Sequence, residues 1–201
     1  MREDVRDWVR GCLIWKRRKE APKGACAELV RQPLPAKPWA VMQIKLGKNY
    51  ILCFVDTLSK WVEAAALSQI DANTVAEALV ICVMLRHGVP EVVHSDQGRQ
   101  FEAKVFKQTC ALLGAEKLRT SPFHPSGNGS VEKFNRTLGN MLSGFCSENQ
   151  ATWDALLPYI LWAYCNSSEH SSTGESPLKV LRGMEPRLPV DLALGGQRDH
   201  P

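Results

Sequence analysis

The sequence predicts an α/β domain in which a mixed five-stranded sheet carries helices on its faces. Three short segments that suit strands come first, at 39–46, 50–56 and 61–66, and they predict an antiparallel meander. Helix-like and strand-like segments then alternate, an order that buries a sheet between helices. The length of 201 residues fits one domain of ordinary size, and a hydrophobic content of 44% is enough for a core.

Clear start and stop signals bound the elements that follow the meander. A helix is predicted over 71–87, since Thr74 and Glu77 stand at capping-box spacing and Gly88 with Pro90 ends the segment. The remaining predictions are strands at 91–95 and 116–120, a loop at 121–130, and helices at 104–113, 131–147, 152–165 and 177–182.

The N-terminal part of the chain differs from the rest in composition. Residues 2–19 predict a short basic helix, and four prolines with a glycine in 20–38 predict a linker. We therefore expect four regions: an N-terminal module at 1–19, a linker at 20–37, the core domain at 38–166, and a C-terminal extension at 167–201.

Charge is distributed unevenly along the chain. Residues 1–48 hold 12 Lys and Arg against 5 Asp and Glu, whereas residues 49–201 hold 13 against 16. A nucleic-acid partner is thus supported electrostatically by the N-terminal part and not by the bulk of the domain. Seven scattered cysteines without a framework spacing fit a reducing compartment. Neither a membrane helix nor a secretion signal is expected, because no apolar run approaches the necessary length.

Two carboxylates stand in segments that suit the chemistry of a reacting phosphate. Asp96 follows the strand predicted at 91–95, and Glu132 falls in the first turn of the helix predicted at 131–147, with 35 residues between the two. Both side chains are therefore expected at one edge of the sheet, where carboxylates can hold divalent metals that drive phosphodiester transfer. The alternatives are a turn aspartate at 96 and an acid favoured by the helix dipole at 132.

These segments resemble the integrase catalytic core of gypsy-type LTR retrotransposons over roughly residues 1–192. The resemblance rests on the order and spacing of several segments, namely YILCFVDTLSKW (50–61), HGVP (87–90), HSDQG (94–98), TSPFHP (120–125), VEKFNR (131–136) and HSSTGESP (170–177). It implies a ribonuclease-H-like fold and three acidic residues that bind two metal ions, usually magnesium. Asp96 matches the second acid of that family and Glu132 the third.

The first acid of the family has no counterpart here. The strand predicted at 39–46 contains no carboxylate, and counting from Trp39 places the family's aspartate at Lys45, with Gln43 as the out-of-register alternative. An ammonium group at Lys45 would repel metal ions, so we expect weak binding of magnesium or manganese and impaired catalysis. Asp56, on the second strand, is expected to cap the following turn rather than to substitute for the missing acid.

The N-terminal segment resembles the end of the family's zinc-binding module. Cys12 matches one zinc ligand, Trp15 stands where a second cysteine belongs, and Cys26 has the wrong spacing. We therefore expect no structural zinc. The basic run at 16–19 is predicted either to contact DNA phosphates or to be a solvated face.

Further residues are predicted to contact nucleic acid or a partner. His124 and Asn128 lie in a segment that resembles the family's active-site loop, and Asn135 and Arg136 follow Glu132; the alternative for the loop is an ordinary polar surface. Three aromatic residues in the helix at 152–165 predict core packing or, alternatively, the dimer-forming face of related integrases: Trp153, Tyr159 and Trp162. His94 is expected to be a structural residue at a strand end.

The resemblance implies an integrase core for DNA integration by metal-dependent strand transfer, impaired here by the missing acid. It also implies DNA as partner, a homodimer formed through the core, and a nuclear location. The alternative hypothesis is a non-catalytic module, derived from an integrase, that binds nucleic acid or protein.

Overall fold

The computed structural model describes residues 35–47, 50–120, 128–145, 153–167 and 170–185. They build one mixed sheet of five strands in the order β3-β2-β1-β4-β5. The strands are β1 (Val41–Leu46), β2 (Ile51–Asp56), β3 (Val62–Ala66), β4 (Val92–Ser95) and β5 (Glu116–Arg119). The first three strands pair antiparallel, and β4 pairs parallel to both β1 and β5. The meander and the mixed sheet predicted from the sequence are confirmed.

Seven α-helices are described, and they flank the sheet. They are α1 (Ala72–Leu79), α2 (Leu85–His87), α3 (Arg99–Glu102), α4 (Lys104–Leu112), α5 (Gly129–Phe145), α6 (Trp153–Ser167) and α7 (Pro177–Arg182). A π-helical segment, Val80–Met84, joins α1 to α2, so the single helix predicted over 71–87 is interrupted. Helix α3 was not predicted, and α5 begins two residues earlier than expected.

The capping box predicted at the start of α1 is wrong. Asp71 is the N-cap, and its side chain accepts hydrogen bonds from the backbone N–H groups of Asn73 and Thr74. An aspartate at this position satisfies two of the free N–H groups at the helix start by itself. The hydroxyl of Thr74 instead donates to the same carboxylate, at 2.5 Å.

Each face of the sheet carries its own apolar cluster. The first cluster joins the sheet to α1 and α4 and includes Ile44, Phe54 and Phe106. The second joins the sheet to α5 and α6 and includes Cys53 and Phe134. Because successive side chains along a strand point to opposite faces of the sheet, the adjacent β2 residues Cys53 and Phe54 belong to different clusters. Lys45 of β1 pairs with Cys53 of β2, so both side chains lie on the same face of the sheet. Helix α5 packs against this face.

Asp56 closes the β2–β3 hairpin from a fully buried position. One carboxylate oxygen accepts the backbone N–H of Trp39 at 2.9 Å, and the other accepts the N–H of Ser59 at 2.8 Å together with the Ser59 hydroxyl. The expected turn-capping role is confirmed. Since both oxygens already accept hydrogen bonds, Asp56 is not placed to replace a missing metal ligand.

Helix α6 exposes part of its aromatic set. Leu157 and Ile160 are buried, whereas Tyr159 is 72% and Trp162 is 52% exposed. Trp153 packs partly against the second cluster. The expectation of core packing is therefore wrong for Tyr159 and Trp162, because a helix that is apolar around most of its circumference can turn only one side to the sheet. Within the described ranges, no helix is long and apolar enough to cross a membrane.

Candidate functional site

The ends of two parallel strands bring the predicted site residues to one edge of the sheet. Strand β1 runs parallel to β4, with Ile44 paired to Ser95. Asp96 directly follows Ser95, so it lies one step beyond this pair, at the level of Lys45. The carboxyl ends of adjacent parallel strands are a common location for ligand sites in α/β folds. The sequence-based placement of Asp96 at a strand end is thus matched by the structure.

Glu132 approaches the same edge from helix α5, where it lies in the first turn. Its Oε1 atom is 2.6 Å from the Nζ atom of Lys45, a distance at which the ammonium group donates a hydrogen bond to the carboxylate. The Lys45 side chain is 28% and the Glu132 side chain 44% exposed. The pair is therefore only partly shielded from water, and its attraction is moderated accordingly.

Two polar side chains fix the start of α5 to strand β1. The Gln43 side-chain oxygen accepts the backbone N–H of Val131 at 3.1 Å, and the Asn128 amide donates to the Ile44 carbonyl at 3.3 Å. Both residues are buried. Val131 immediately precedes Glu132, so these bonds position the first turn of α5 and, with it, the carboxylate beside Lys45.

The role of Gln43 escaped the sequence-based reasoning, which treated it only as an out-of-register position for the missing acid. The structure assigns its side chain to the start of α5 instead. The available signal was an amide side chain between two apolar residues of the strand, Met42 and Ile44, since a buried amide requires a hydrogen-bond partner.

Asp96 occupies a tight turn after β4. Its Oδ1 atom accepts the backbone N–H of Gly98 at 3.0 Å. A Cβ atom added at Gly98 would lie 2.5 Å from the Gln100 side-chain nitrogen and 3.0 Å from Asp96 Oδ1. A side chain at position 98 would therefore require the Gln100 side chain to move. The second carboxylate oxygen of Asp96 accepts no hydrogen bond from the residues that the structure describes.

The donor set does not fit the pair of metal ions that the resemblance implies. A two-metal site needs carboxylates that bridge or share the ions, but β1 supplies an ammonium group that already binds Glu132. Across the residues that the structure describes, no three His, Cys, Asp or Glu side chains gather as a metal site would need. The arrangement is a carboxylate–lysine pair beside a turn aspartate.

The residues predicted to contact nucleic acid differ in how exposed their side chains are. Arg136 is exposed and Asn135 is partly buried. Asn128 is only 2% exposed, so its side chain serves the fold rather than an open surface in this conformation. His124, like the N-terminal Cys12, lies outside the described residues.

His94 is consistent with the expected structural role. It pairs with Gln43 across β1 and β4 and is partly buried. Burial lowers the pKa of its imidazole, and the nearby Glu116 carboxylate opposes this shift. The lowered pKa disfavours the protonated imidazole, so His94 adds little positive charge at this end of β4.

Comparison with known proteins shows that the domain is similar to integrase cores. Residues 38–125 match the integrase core domain family. The matched range includes Lys45 and Asp96 and ends before Glu132. The chain is 32% identical over 163 residues to the Gag-Pol polyprotein of avian reticuloendotheliosis virus, and 33% identical over 150 residues to that of walleye dermal sarcoma virus. These matches cover 78% and 71% of the chain but only 14% and 9% of the polyproteins.

Solved structures show the same fold. An intasome of simian T-cell lymphotropic virus, in complex with the PP2A regulatory subunit B56 gamma, aligns over 94% of this chain and 69% of its own with a TM-score of 0.68 and 21% identity. The HTLV-2 integrase catalytic core in complex with magnesium, in its trimeric form, aligns over 73% of this chain and 99% of its own with a TM-score of 0.61 and 16% identity. The ribonuclease-H-like integrase fold expected from the sequence is confirmed, and the similarity extends to retroviral integrases.

Proposed function

We propose that this chain is an integrase core domain of retrotransposon origin that has lost, or nearly lost, DNA strand transfer. The observation that carries the proposal is the 2.6 Å ion pair between Lys45 and Glu132 at the edge where Asp96 also lies. The carboxylate that matches the family's third acid is bound to a cation of the protein itself. The domain therefore keeps the integrase fold without the charge distribution that strand transfer needs.

Electrostatics support the loss of catalysis in two ways. Replacement of an acid by Lys45 removes one of three metal ligands and adds a positive charge beside the other two. Two unit charges about 4 Å apart interact by about 1 kcal/mol in water and about 4 kcal/mol near a protein surface. A divalent ion would experience twice that repulsion from the ammonium, so magnesium or manganese would bind weakly at best.

DNA is the partner that the integrase similarity favours. Binding would be weak, salt-sensitive and independent of sequence, because the positive surplus lies in residues 1–48 and would contact mainly phosphates. Arg136, exposed on α5, adds one cation close to Glu132. With such a partner the protein would act in the nucleus. The proposal includes no structural zinc at Cys12, since Trp15 stands where the second cysteine belongs.

A protein-interaction role is the second candidate, and an exposed surface favours it. Tyr159 and Trp162 are both more than half exposed on α6. Large aromatic side chains on a surface are typical of contact sites between proteins. The occupant that we propose is a second copy of this chain, which would form a homodimer through the core.

Strand transfer tests the catalytic part of the proposal directly. The full chain is incubated with magnesium or manganese and labelled donor and target DNA, next to a Glu132→Gln variant. We expect both proteins to give the same background, because the third-acid position is already neutralised by Lys45. Joined product from the unmodified chain that the Glu132→Gln variant does not form would overturn the proposal.

A further inference from the structure

A cleft with a volume of about 690 Å³ opens beside the first strand, and the integrase site does not use it. Its lining residues are Pro38, Trp39, Trp61, Glu63, Arg86, His87, Leu181 and Arg182. They come from the segment before β1, the start of β3, helix α2 and helix α7. Trp39 belongs to the apolar cluster on the α1 side of the sheet, whereas Lys45 is bound to Glu132 of α5 on the other side. The cleft is therefore separate from the Lys45–Glu132 pair.

Among the described residues that line the cleft, Glu63 is the one carboxylate, and its charge is already compensated. Glu63 is nearly buried, and one of its oxygens accepts the Trp61 indole N–H at 3.1 Å and lies 2.9 Å from the Nε2 atom of His87. The other oxygen accepts a hydrogen bond from Arg86 at 3.0 Å. With both oxygens engaged, Glu63 contributes little negative charge to the open part of the cleft.

Two guanidinium groups leave the cleft with a positive surplus. Arg86 is bound to Glu63 through one nitrogen, and its side chain is 55% exposed, so further N–H groups are available. The guanidinium carbon of Arg182 lies 5.9 Å from the centroid of the Trp61 ring. No carboxylate of the described residues forms an ion pair with Arg182. Guanidinium groups bind carboxylate and phosphate oxygens through paired, planar hydrogen bonds.

Flat apolar surfaces form the remaining wall of the cleft. The Trp39 ring stacks on His87 with centroids 4.4 Å apart, and Trp61 meets the same imidazole edge-on at 6.4 Å. Pro38 and Leu181 extend this wall. The volume falls in the range of pockets that hold small organic ligands, which combine apolar walls with a few polar groups.

We propose that this cleft binds a small organic anion, a carboxylate or phosphate joined to a flat aromatic body. Arg182 and the free N–H groups of Arg86 hold the anionic group, and the aromatic body lies against Trp61 and its apolar neighbours. The site is independent of the Lys45–Glu132 pair, so it is expected to function whether or not strand transfer is lost.

The test follows the indole N–H resonance of Trp61 in the ¹⁵N-labelled full chain, assigned by comparison with Trp61→Phe. Hippurate supplies a carboxylate and adenosine 5′-monophosphate a phosphate; hippuramide and adenosine are their uncharged counterparts. We expect a saturable shift with at least one anion and none with its neutral counterpart. A response to hippurate alone assigns a carboxylate ligand, and a response to the nucleotide alone assigns a phosphate ligand.

Two variants examine the role of the guanidinium group. Arg182→Gln should weaken binding at least about tenfold, and Arg182→Lys should weaken it less because the charge is kept. Arg119→Gln, which removes an exposed arginine from β5, should leave affinity unchanged. The proposal is overturned if neither anion gives a saturable shift up to about 10 mM, if the neutral counterparts bind equally well, or if folded Arg182→Gln binds as the unmodified chain does.

Discussion

Lys45 determines the character of the site at the scale of single residues. Its position could be predicted, because counting from Trp39 placed the family's first acid there. Its partner could not, since the sequence carries no information on which carboxylate a flexible lysine reaches. The structure shows the ammonium bound to Glu132 at 2.6 Å. A residue expected to repel metal ions thus also provides the counter-charge for Glu132.

Replacing Lys45 with aspartate should make stability depend on magnesium. The variant loses an ion pair and places a third carboxylate beside Asp96 and Glu132, so it should be destabilised by about 1–2 kcal/mol without divalent ions. Magnesium should recover part of this loss because it relieves the repulsion. Thermal unfolding in EDTA and in magnesium measures both effects.

Lys45→Gln is the matched control for that experiment. It removes the ammonium without adding a carboxylate, so its melting temperature should respond to magnesium no more than that of the unmodified chain. If Lys45→Asp melted at the same temperature in EDTA and in magnesium, the third carboxylate would not be near the other two, and the geometry described for the site would be contradicted.

At the scale of secondary-structure elements, the pattern of apolar residues predicted whether a segment is a helix or a strand better than it predicted where the segment begins and ends. The five strands were predicted because each is short and bounded by turn residues, and most of them are rich in apolar residues. Strand β5, with one leucine among charged residues, was recognised from its place after a helix that ends at a glycine. The π-helical segment at 80–84 could not be predicted, because a wider turn leaves no distinct periodicity in so short a run. The cap at Asp71 was missed because Thr74 and Glu77 offered a competing signal, and only the backbone geometry decides between them.

The loop before α7 contains a histidine that should make stability depend on pH. Burial and, to a lesser extent, the nearby cations Lys133 and Lys60 together lower the pKa of His170 from 6.5 to about 4. The unfolded chain therefore binds a proton at a pH where the folded protein does not. This contribution to stability is fully present above about pH 6.5 and declines as the pH falls towards 4.

Denaturation with urea at about pH 7.5 and pH 5 checks this expectation. The unmodified chain should lose more stability between these values than His170→Gln, whose neutral side chain cannot take up the proton. Other groups also change stability with pH; the pKa of Glu102, for example, is lowered to about 2 by its lysine partners Lys107 and Lys117. Such groups contribute equally in both proteins, so the difference between the two proteins reports on His170 alone. Equal losses in both proteins would show that His170 is not shielded as described.

At the scale of the whole molecule, the fold was predictable because its order of strands and helices leaves few ways to bury both faces of one sheet. The exposure of aromatic residues on α6 was not predictable, since the sequence does not show which of several apolar sides a helix turns to the core. The aromatic surface of Tyr159 and Trp162 is consequently a finding of the structure.

That surface should support self-association of the core. Trp162→Asp places a charge at the proposed contact and should shift a dimer towards monomer in sedimentation-velocity experiments. Leu112→Asp is the control, because Leu112 is 87% exposed on α4 rather than α6. A monomeric unmodified chain, or equal dissociation by both variants, would argue against α6 as the contact.

Binding of manganese, followed by the loss of the free-ion signal in electron paramagnetic resonance, tests the central claim most directly. If Lys45 stands in place of a metal-binding acid, the unmodified chain and Glu132→Gln should both show only weak, non-saturating association, and Lys45→Asp should bind more manganese than either. A stoichiometric manganese site in the unmodified chain that disappears in Glu132→Gln would contradict the account.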